Sequence, residues 1–573
     1  MAFIIEQKSS NGRVNIHLAK SIHRPGKTPC QQRQHIGVLD TQSRELILAK
    51  DQPEPSDEIL KLLARKSIKW TGRKHSANRV GNLKNIPTMA DFQLQEMGRT
   101  FLFNELAKES GLIDALREAF GEPNASFLLW AAMHQVCEGN ALYLFHEWME
   151  DVCGYPCEGT SPASMGRLLQ KIGDAAPQQR EFFIGWLKAC GTPKALIHDT
   201  TSISTYSNLE MAEVGYNRDG ENLPQINLAL VVARESRLPL WYRILPGSIP
   251  DVASLKVTAS LLEEFGLNDF SFTLDRGYFS SGNIAEMLAK KIRFCIGVPM
   301  HIKQAKSILS THWRKLQKFK NTFLFNLDPI AHVQCKYAQK QTDGSMKELV
   351  AHLYWNVEQS GKMSIHLDRV ILELIRLAEA QNFKTAQEAT EWLEENTGKY
   401  NRFFGVKNAA GKASVLVKSS LMTQAKKLFG VMLLINEDGG LEDNQSDHEE
   451  VLADYRSRDI AEKIFDAYKN TQGNGRLKTG KIESVDGRVF LAFLSSILRS
   501  LLENKLRKSS ERIKIGIPEV LLQLKKIRRI KAAQGSPIAL EVPKKSRDLL
   551  EALGLRLEDV QPIAPKAASR HYR

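Results

Sequence analysis

The chain has 573 residues, too many for one ordinary hydrophobic core, so several domains or a core with large insertions are expected. With 42% hydrophobic and 25% charged residues it reads as a folded soluble protein, and no apolar run approaches the roughly 18 residues of a membrane span, so no membrane partner is expected. A formal charge of +14 and a pI near 9.2 point to a polyanionic partner, because cations that neutralise phosphates gain free energy by releasing condensed counterions.

The start of the chain lacks the pattern of a secretion signal, which places the protein in the cytoplasm. Its seven cysteines form an odd, sparse set, in keeping with a reducing compartment. Cys153 and Cys157 are the one close pair; without a second pair they read as structural thiols rather than zinc ligands.

Residues 1–85 form a β-rich basic segment, in which FII (3–5) and VNIHLA (14–19) flank the hairpin signal Asn11-Gly12. Eight bases (Lys61, Arg65, Lys66, Lys69, Arg73, Lys74, Arg79, Lys84) follow with no acid among them and with Trp70 and His75 interleaved. That run reads as a nucleic-acid contact, against the alternative of a solvated linker. Residues 86–190 take apolar spacing of three and four, a helical domain compatible with DNA binding.

At residue 191 the period changes. KALIHDTTSIS (194–204), a strand pair turning at Arg234–Arg237, a helix opened by Pro250-Asp251, FSFTLDRGYFS (270–280), a helix and RFCIGVPM (293–300) make a mixed sheet in an α/β fold. Asp199 and Asp275 lie at or near strand ends, an awkward place for an acid unless it caps a helix or binds something.

Residues 301–425 read as an insertion domain containing strands FLFNL and AHLYWNV and two helices. ASVLVKSS (413–420) and KLFGVMLLINEDGG (427–440) then return the chain to the main sheet, whose second part spans 426–510. Ser446-x-x-Glu449 is a candidate capping box for one helix running to Gly473. Residues 511–573 read as a basic helix, VLLQLKKIRRIK, and a disordered tail.

That helix holds Tyr455, Arg458, Glu462 and Lys469. With Tyr455 at zero, the other three fall at about 300°, 340° and 320°, a polar stripe within about 60° of arc. Ile460, Ala461, Ile464 and Tyr468 lie broadly opposite, an apolar face able to dock on a sheet.

Tyr455-x2-Arg458-x3-Glu462-x6-Lys469 resembles, at every position, the Y-x2-R-x3-E-x6-K signature of one large branch of bacterial insertion-sequence transposases with a catalytic Asp-Asp-Glu triad in an RNase H-like fold. HDTTSIS and LDRGYF resemble the contexts of that family's first two acids. Separations of 76 residues from Asp199 to Asp275 and 187 from Asp275 to Glu462 leave room for its insertion domain. The resemblance covers about residues 90 to 510.

It implies an RNase H-like catalytic core, a mixed sheet flanked by helices, in a nucleoid-associated DNA transposase that binds terminal inverted repeats of double-stranded DNA and acts by cut-and-paste. Asp199, Asp275 and Glu462 would be catalytic and would hold two divalent metal ions, magnesium or else manganese. One ion would activate water or a DNA 3′-hydroxyl and the other would stabilise the leaving oxygen. Tyr455, Arg458 and Lys469 would contact DNA, with Arg456 and His198 weaker candidates. A homodimer on paired ends is expected.

Relatives with an insertion domain stack an aromatic there on an unpaired base; Trp313, Trp355 and Trp392 are available, although core packing is the better reading of each. Two alternatives stay open. Tyr455 could be a covalent nucleophile, as in tyrosine recombinases, which would leave the aspartates without a role. The chain could also be a non-catalytic, transposase-derived DNA-binding or repressor protein.

Overall fold

A computed structural model describes residues 2–9, 13–22, 30–49, 52–72, 92–152, 161–249, 251–409, 412–437, 447–509, 511, 513–532 and 537–560. The hairpin tip Asn11-Gly12, the bases Arg73, Lys74, Arg79 and Lys84 with His75, the pair Cys153 and Cys157, and Ser446 lie outside them. The chain divides into two compact units, Met1–Phe92 and Gln93–Arg573.

In the first unit β1 (Ala2–Lys8), β2 (Val14–Ile22), β3 (Cys30–Asp40) and β4 (Glu45–Leu48) form an antiparallel sheet in sequence order, followed by α1 (Asp57–Ala64). Alternating Ile4, Ile16, Leu46 and Leu48 bury one face against Leu63 and Ile68. The described bases Lys61, Arg65, Lys66 and Lys69 are exposed.

After the strand Phe92–Glu96, which joins a small sheet with Arg528–Ala532, the second unit continues with helices α2 (Gly98–Glu109), α3 (Leu112–Glu138), a short helix Phe145–Asp151, α4 (Pro162–Gly173) and α5 (Ala176–Ala189). α3 is interrupted at Gly121, where φ is 72°. These helices share one continuous core with the sheet that follows.

The sheet contains β5 (Ala195–Thr205), β6 (Gln225–Ala233) and β7 (Pro239–Pro246); then, after α6 (Asp251–Glu264), β8 (Ser271–Leu274); and, after α7 (Ser281–Ala289), β9 (Arg293–Val298). The chain continues through α8 (Lys303–Leu316), β10 (Thr322–Phe325), β11 (Asp328–Lys340) and β12 (Met346–Asn356). A lobe of α9 (Val357–Glu379), α10 (Ala386–Thr397), the hairpin β13 (Phe404–Ala409) and β14 (Lys412–Val417), and α11 (Ser419–Leu428) precedes β15 (Val431–Glu437).

The strands order as β10-β11-β12-β15-β9-β8-β5-β6-β7, and β16 (Arg476–Leu477) extends the β8 side of β5. β5, β8 and β9 run parallel; the remaining neighbours on that path are antiparallel. After β15 come α12 (His448–Arg456), α13 (Asp459–Asp466), the long buried α14 (Ile482–Lys508) and α15 (Ile517–Leu524).

Several expectations are corrected. Only part of 301–425 stands apart: β11 and β12 lengthen the main sheet, and the separate lobe, with its own core around Leu367, Leu393 and Phe403, starts at Val357. ASVLVKSS pairs with β13 rather than with the main sheet, and only β15 returns the chain to it. The basic C-terminal helix stops at Leu524, since Arg528–Ala532 is a strand paired with Ile538–Ala539. Within the expected disordered tail, Lys544–Ala552 is helical because Leu549 and Leu550 find buried positions.

Candidate active site

β5 is buried along its length except at Asp199, the one residue of its eleven that keeps access to solvent. Asp199 is therefore mid-strand rather than terminal. What ends beside it is the partner: β8 pairs with β5 only as far as His198 opposite Leu274. The next step of that parallel register sets Asp199 beside Asp275, which is still extended at φ −70° and ψ 160°, so both carboxylates leave the same face.

Each acid is fixed by its own backbone. Asp199 Oδ1 accepts the Thr200 N–H at 2.8 Å, and Asp275 Oδ1 accepts the Arg276 N–H at 2.7 Å, opening a short 3₁₀ turn. His198, alternating to the other face, is fully buried with Nε2 3.1 Å from Thr258 Oγ1 and its ring against Tyr278, so it takes no part in the site.

The motif helix is not continuous. Asp447 N-caps α12, its carboxylate accepting the Glu449 N–H at 3.0 Å. At Ser457 the chain tightens into i to i−3 bonds, Ile460 N–H reaching Ser457 O at 2.9 Å, and α13 then begins. After Asp466 it loosens into a π turn over Ala467–Thr471. The opposite deviations leave the four motif side chains at very different depths.

Tyr455 is buried, and its hydroxyl donates to Asp275 Oδ1 at 3.2 Å. Arg458 stacks on the Tyr455 ring at 4.7 Å and places Nη1 3.0 Å from Asp275 Oδ1 and 3.6 Å from Glu462 Oε1. Glu462 is 55% exposed, whereas Lys469 is 12% exposed and points to Asp219, with Nζ 2.6 Å from Oδ2. The structure thus gathers Asp199, Asp275, Tyr455, Arg458 and Glu462, and carries Lys469 to the loop that follows β5. Arg456 covers the Phe325 ring at 4.8 Å. Trp313 packs on Trp355 at 5.3 Å and Trp392 on Phe383 at 6.0 Å, as core packing predicts.

Electrostatics bind these groups together. Burial pushes the Asp199 carboxyl up to about 7 and the Asp275 charge adds to the rise, against the Thr200 hydrogen bond and the positive charges of Arg458 and Arg218. Burial works against the Arg458 charge, but Tyr455, Asp275, Asp199 and Glu462 outweigh it and raise its pKa. Burial also holds the Tyr455 phenol well above its ordinary range, with Arg458 opposing and Asp275 adding. A buried phenol kept protonated and committed to a carboxylate is poorly prepared to act as a nucleophile.

A cavity of about 580 Å³ opens onto this cluster, lined by Asp275, Tyr455, Arg458 and Glu462 and by Gln359 and Met363 of the lobe. Its oxygen-only carboxylates suit a hard divalent cation, and Arg458 already serves two of them as a shared positive charge. Among the described residues no three acids, histidines or cysteines converge tightly enough to form a metal-binding group. The donors therefore fit in kind, with Arg458 lying among them. Arg218, whose charge is felt at Asp199, and Asp219, which holds Lys469, escaped the sequence reading; the charged turn NRDGE (217–221), in the loop that follows the Asp199 strand, is the signal that could have found them.

A family model described as transposase DDE domain matches residues 191–498. No curated protein matches the chain. Among solved structures, a cryo-EM structure of a piggyBac transposase synaptic complex with hairpin DNA is similar at 10% identity, over 74% of this chain and 77% of that chain, with a TM-score of 0.32. Among the described residues no helix is long and apolar enough to cross a membrane.

Proposed function

Because the chain belongs to the transposase DDE domain family, matched across residues 191–498, we propose that it is an insertion-sequence transposase of the Tyr-Arg-Glu-Lys branch that binds terminal inverted repeats and cuts and joins DNA. The observation that carries this reading is the register pair Asp199 and Asp275, with Arg458 reaching from Asp275 to Glu462. The strand order β7-β6-β5-β8-β9, in which only β6 is reversed, supports an RNase H-like core.

Asp199, Asp275 and Glu462 are the residues that would hold two divalent ions, magnesium or manganese. When bound, such ions supply Lewis-acid activation of the attacking oxygen and stabilisation of the leaving one. Tyr455 orients Asp275 through its hydroxyl hydrogen bond, while Arg458 exchanges a carboxylate for a DNA phosphate as the strand enters. Lys469 holds a phosphate farther out, beside Asp219. Two protomers pair the two DNA ends.

Cleavage of DNA bearing the element's ends, with magnesium, tests the reading. Wild-type protein is expected to nick at the ends and Glu462→Gln to bind without cutting. A covalent phosphotyrosyl–DNA adduct would overturn the mechanism, and binding without magnesium-dependent cleavage by wild type would favour a repressor.

A further inference from the structure

Residues 206–224, which join β5 to β6, are unusually well fixed for a loop. Gln225 Nε2 donates to Tyr216 O at 3.0 Å, and Asn217 Nδ2 donates to Gln225 Oε1 at 2.7 Å and to Ser204 Oγ at 3.1 Å. The Asn217 side-chain oxygen accepts the N–H groups of Asp219 and Glu221 at 2.8 and 3.2 Å. A Cβ on Gly215 would fall 2.2 Å from Gly247 O, so the backbones meet there without room for a side chain.

This fixed backbone nevertheless leaves Tyr216 83% and Tyr206 76% exposed, so their exposure does not come from slack. The same loop carries one base, Arg218, and four acids, Glu210, Glu213, Asp219 and Glu221, of which the last two draw in cations from α13's continuation and β16. Arg218 Nη1 donates to Ser202 Oγ of β5 at 3.3 Å, and its charge is felt at Asp199. Asp219 draws in Lys469 at 2.6 Å, and Glu221 pairs with Arg476, whose guanidinium lies over the Tyr206 ring at 4.8 Å. Aromatic faces interleaved with cations match the chemistry of an unpaired nucleic-acid strand, whose bases stack while its phosphates are neutralised.

We propose that residues 206–224, with Lys469 and Arg476, form a holding surface for an unpaired DNA strand beside Asp199, where Tyr216 stacks on a base and Arg218 takes the adjacent phosphate. The inference rests on the transposase reading and adds to it a preference for unpaired over fully duplex ends. Asp219 and Glu221 position Lys469 and Arg476 rather than touching DNA.

Fluorescence anisotropy of the full chain in EDTA tests this, using a labelled duplex with an oligo-thymidine overhang and the same duplex blunt-ended. Wild type is expected to bind the overhang about tenfold more tightly, Tyr216→Ala to lose that preference and Tyr216→Trp to keep it. Arg218→Ala is expected to weaken overhang binding and lower the salt slope by about one counterion. Equal wild-type affinity for both probes, or an undiminished overhang preference in Tyr216→Ala, overturns the surface. If Glu462-dependent cleavage persists in that case, the transposase reading stands without it; if wild type neither binds nor cleaves DNA, both fall.

Discussion

The candidate site has a strand-borne half and a helix-borne half, and they are held in different ways. Asp199 and Asp275 are placed by the register of two parallel strands, and each carboxylate is tied to the next backbone N–H. Glu462 stands on the eight-residue α13, between a tightened turn and a π turn, with Arg458 at 3.6 Å. A sheet sets atoms closely; a short helix between two irregular joints can shift. The comparison suggests a rigid carboxylate pair against which an adjustable third acid closes, with Arg458 as the cation that keeps the two halves together meanwhile.

The sharpest way to break this comparison is to change side-chain length without changing charge. Asp199→Glu adds a methylene on the rigid side, and a displacement near 1 Å in a reacting geometry costs on the order of 10²-fold in rate. Glu462→Asp shortens the adjustable side, where α13 can follow, and about a tenfold loss is expected. Single-turnover cleavage of end-bearing DNA measures both; equal losses would mean that the helix is as fixed as the sheet.

A second test acts where the halves touch. Gly297 of β9 faces Tyr455, and a Cβ there would lie 2.5 Å from the tyrosine Oη and 3.1 Å from Cζ. Gly297→Ala must push the ring away from Asp275, at an overpacking cost of about 1–3 kcal/mol. Denaturant unfolding should show a lower midpoint with an unchanged slope, and cleavage should fall as well. Gly297→Ala with wild-type stability would mean that α12 is not seated by this contact.

The two halves also differed in how far the sequence revealed them. Asp199 and Asp275 were legible because apolar strands interrupted by one acid stand out, yet the interruption lies mid-strand, and only the short partner β8 explains why Asp199 is reachable. The helix was legible as a stripe of four residues, but its angular reading assumed an uninterrupted 100° step. Nothing local announces the joint at Ser457, because Ser457 and Arg458 keep right-handed helical backbone angles and only the bonding pattern shifts. Lys469 consequently leaves the acids for Asp219. β11 was missed for a different reason: Gln334, Lys336 and Lys340 along its exposed side conceal the buried Ala331, Cys335 and Tyr337.

Acid should loosen the helix-borne half first. His332 on β11 stacks on His448 at the start of α12, with ring centroids 4.5 Å apart, and its ring nitrogen lies 3.1 Å from that of His352. Burial, followed by the charges of His352 and His448, lowers the His332 pKa from 6.5 to about 3. The folded state therefore keeps this imidazole neutral while the unfolded chain protonates it. Its contribution to stability is intact above about pH 6.5 and is lost as the pH falls toward 3, at up to about 1.4 kcal/mol per unit. Between pH 7 and 5 the hydrogen-exchange protection factors of α12 amides, corrected for the slower intrinsic exchange in acid, should fall more than those of the buried α14. An equal fall in the two would remove the distinction.

The smallest expected effect isolates one hydrogen bond between the halves. Tyr455→Phe keeps the ring under Arg458 and in its buried seat, and removes only the donor to Asp275 Oδ1 at 3.2 Å. Asp275 is 36% exposed and retains Arg458 and the Arg276 N–H, so its carboxylate is not stranded without partners. The stability cost should be near the lower part of the usual range, about 0.5–1.5 kcal/mol. A catalytic role would appear differently: if the hydroxyl serves to orient Asp275, cleavage should slow by more than the stability change accounts for, while DNA affinity holds. A nucleophilic tyrosine would instead abolish cleavage outright, so a slowed but active Tyr455→Phe separates an orienting hydroxyl from an attacking one.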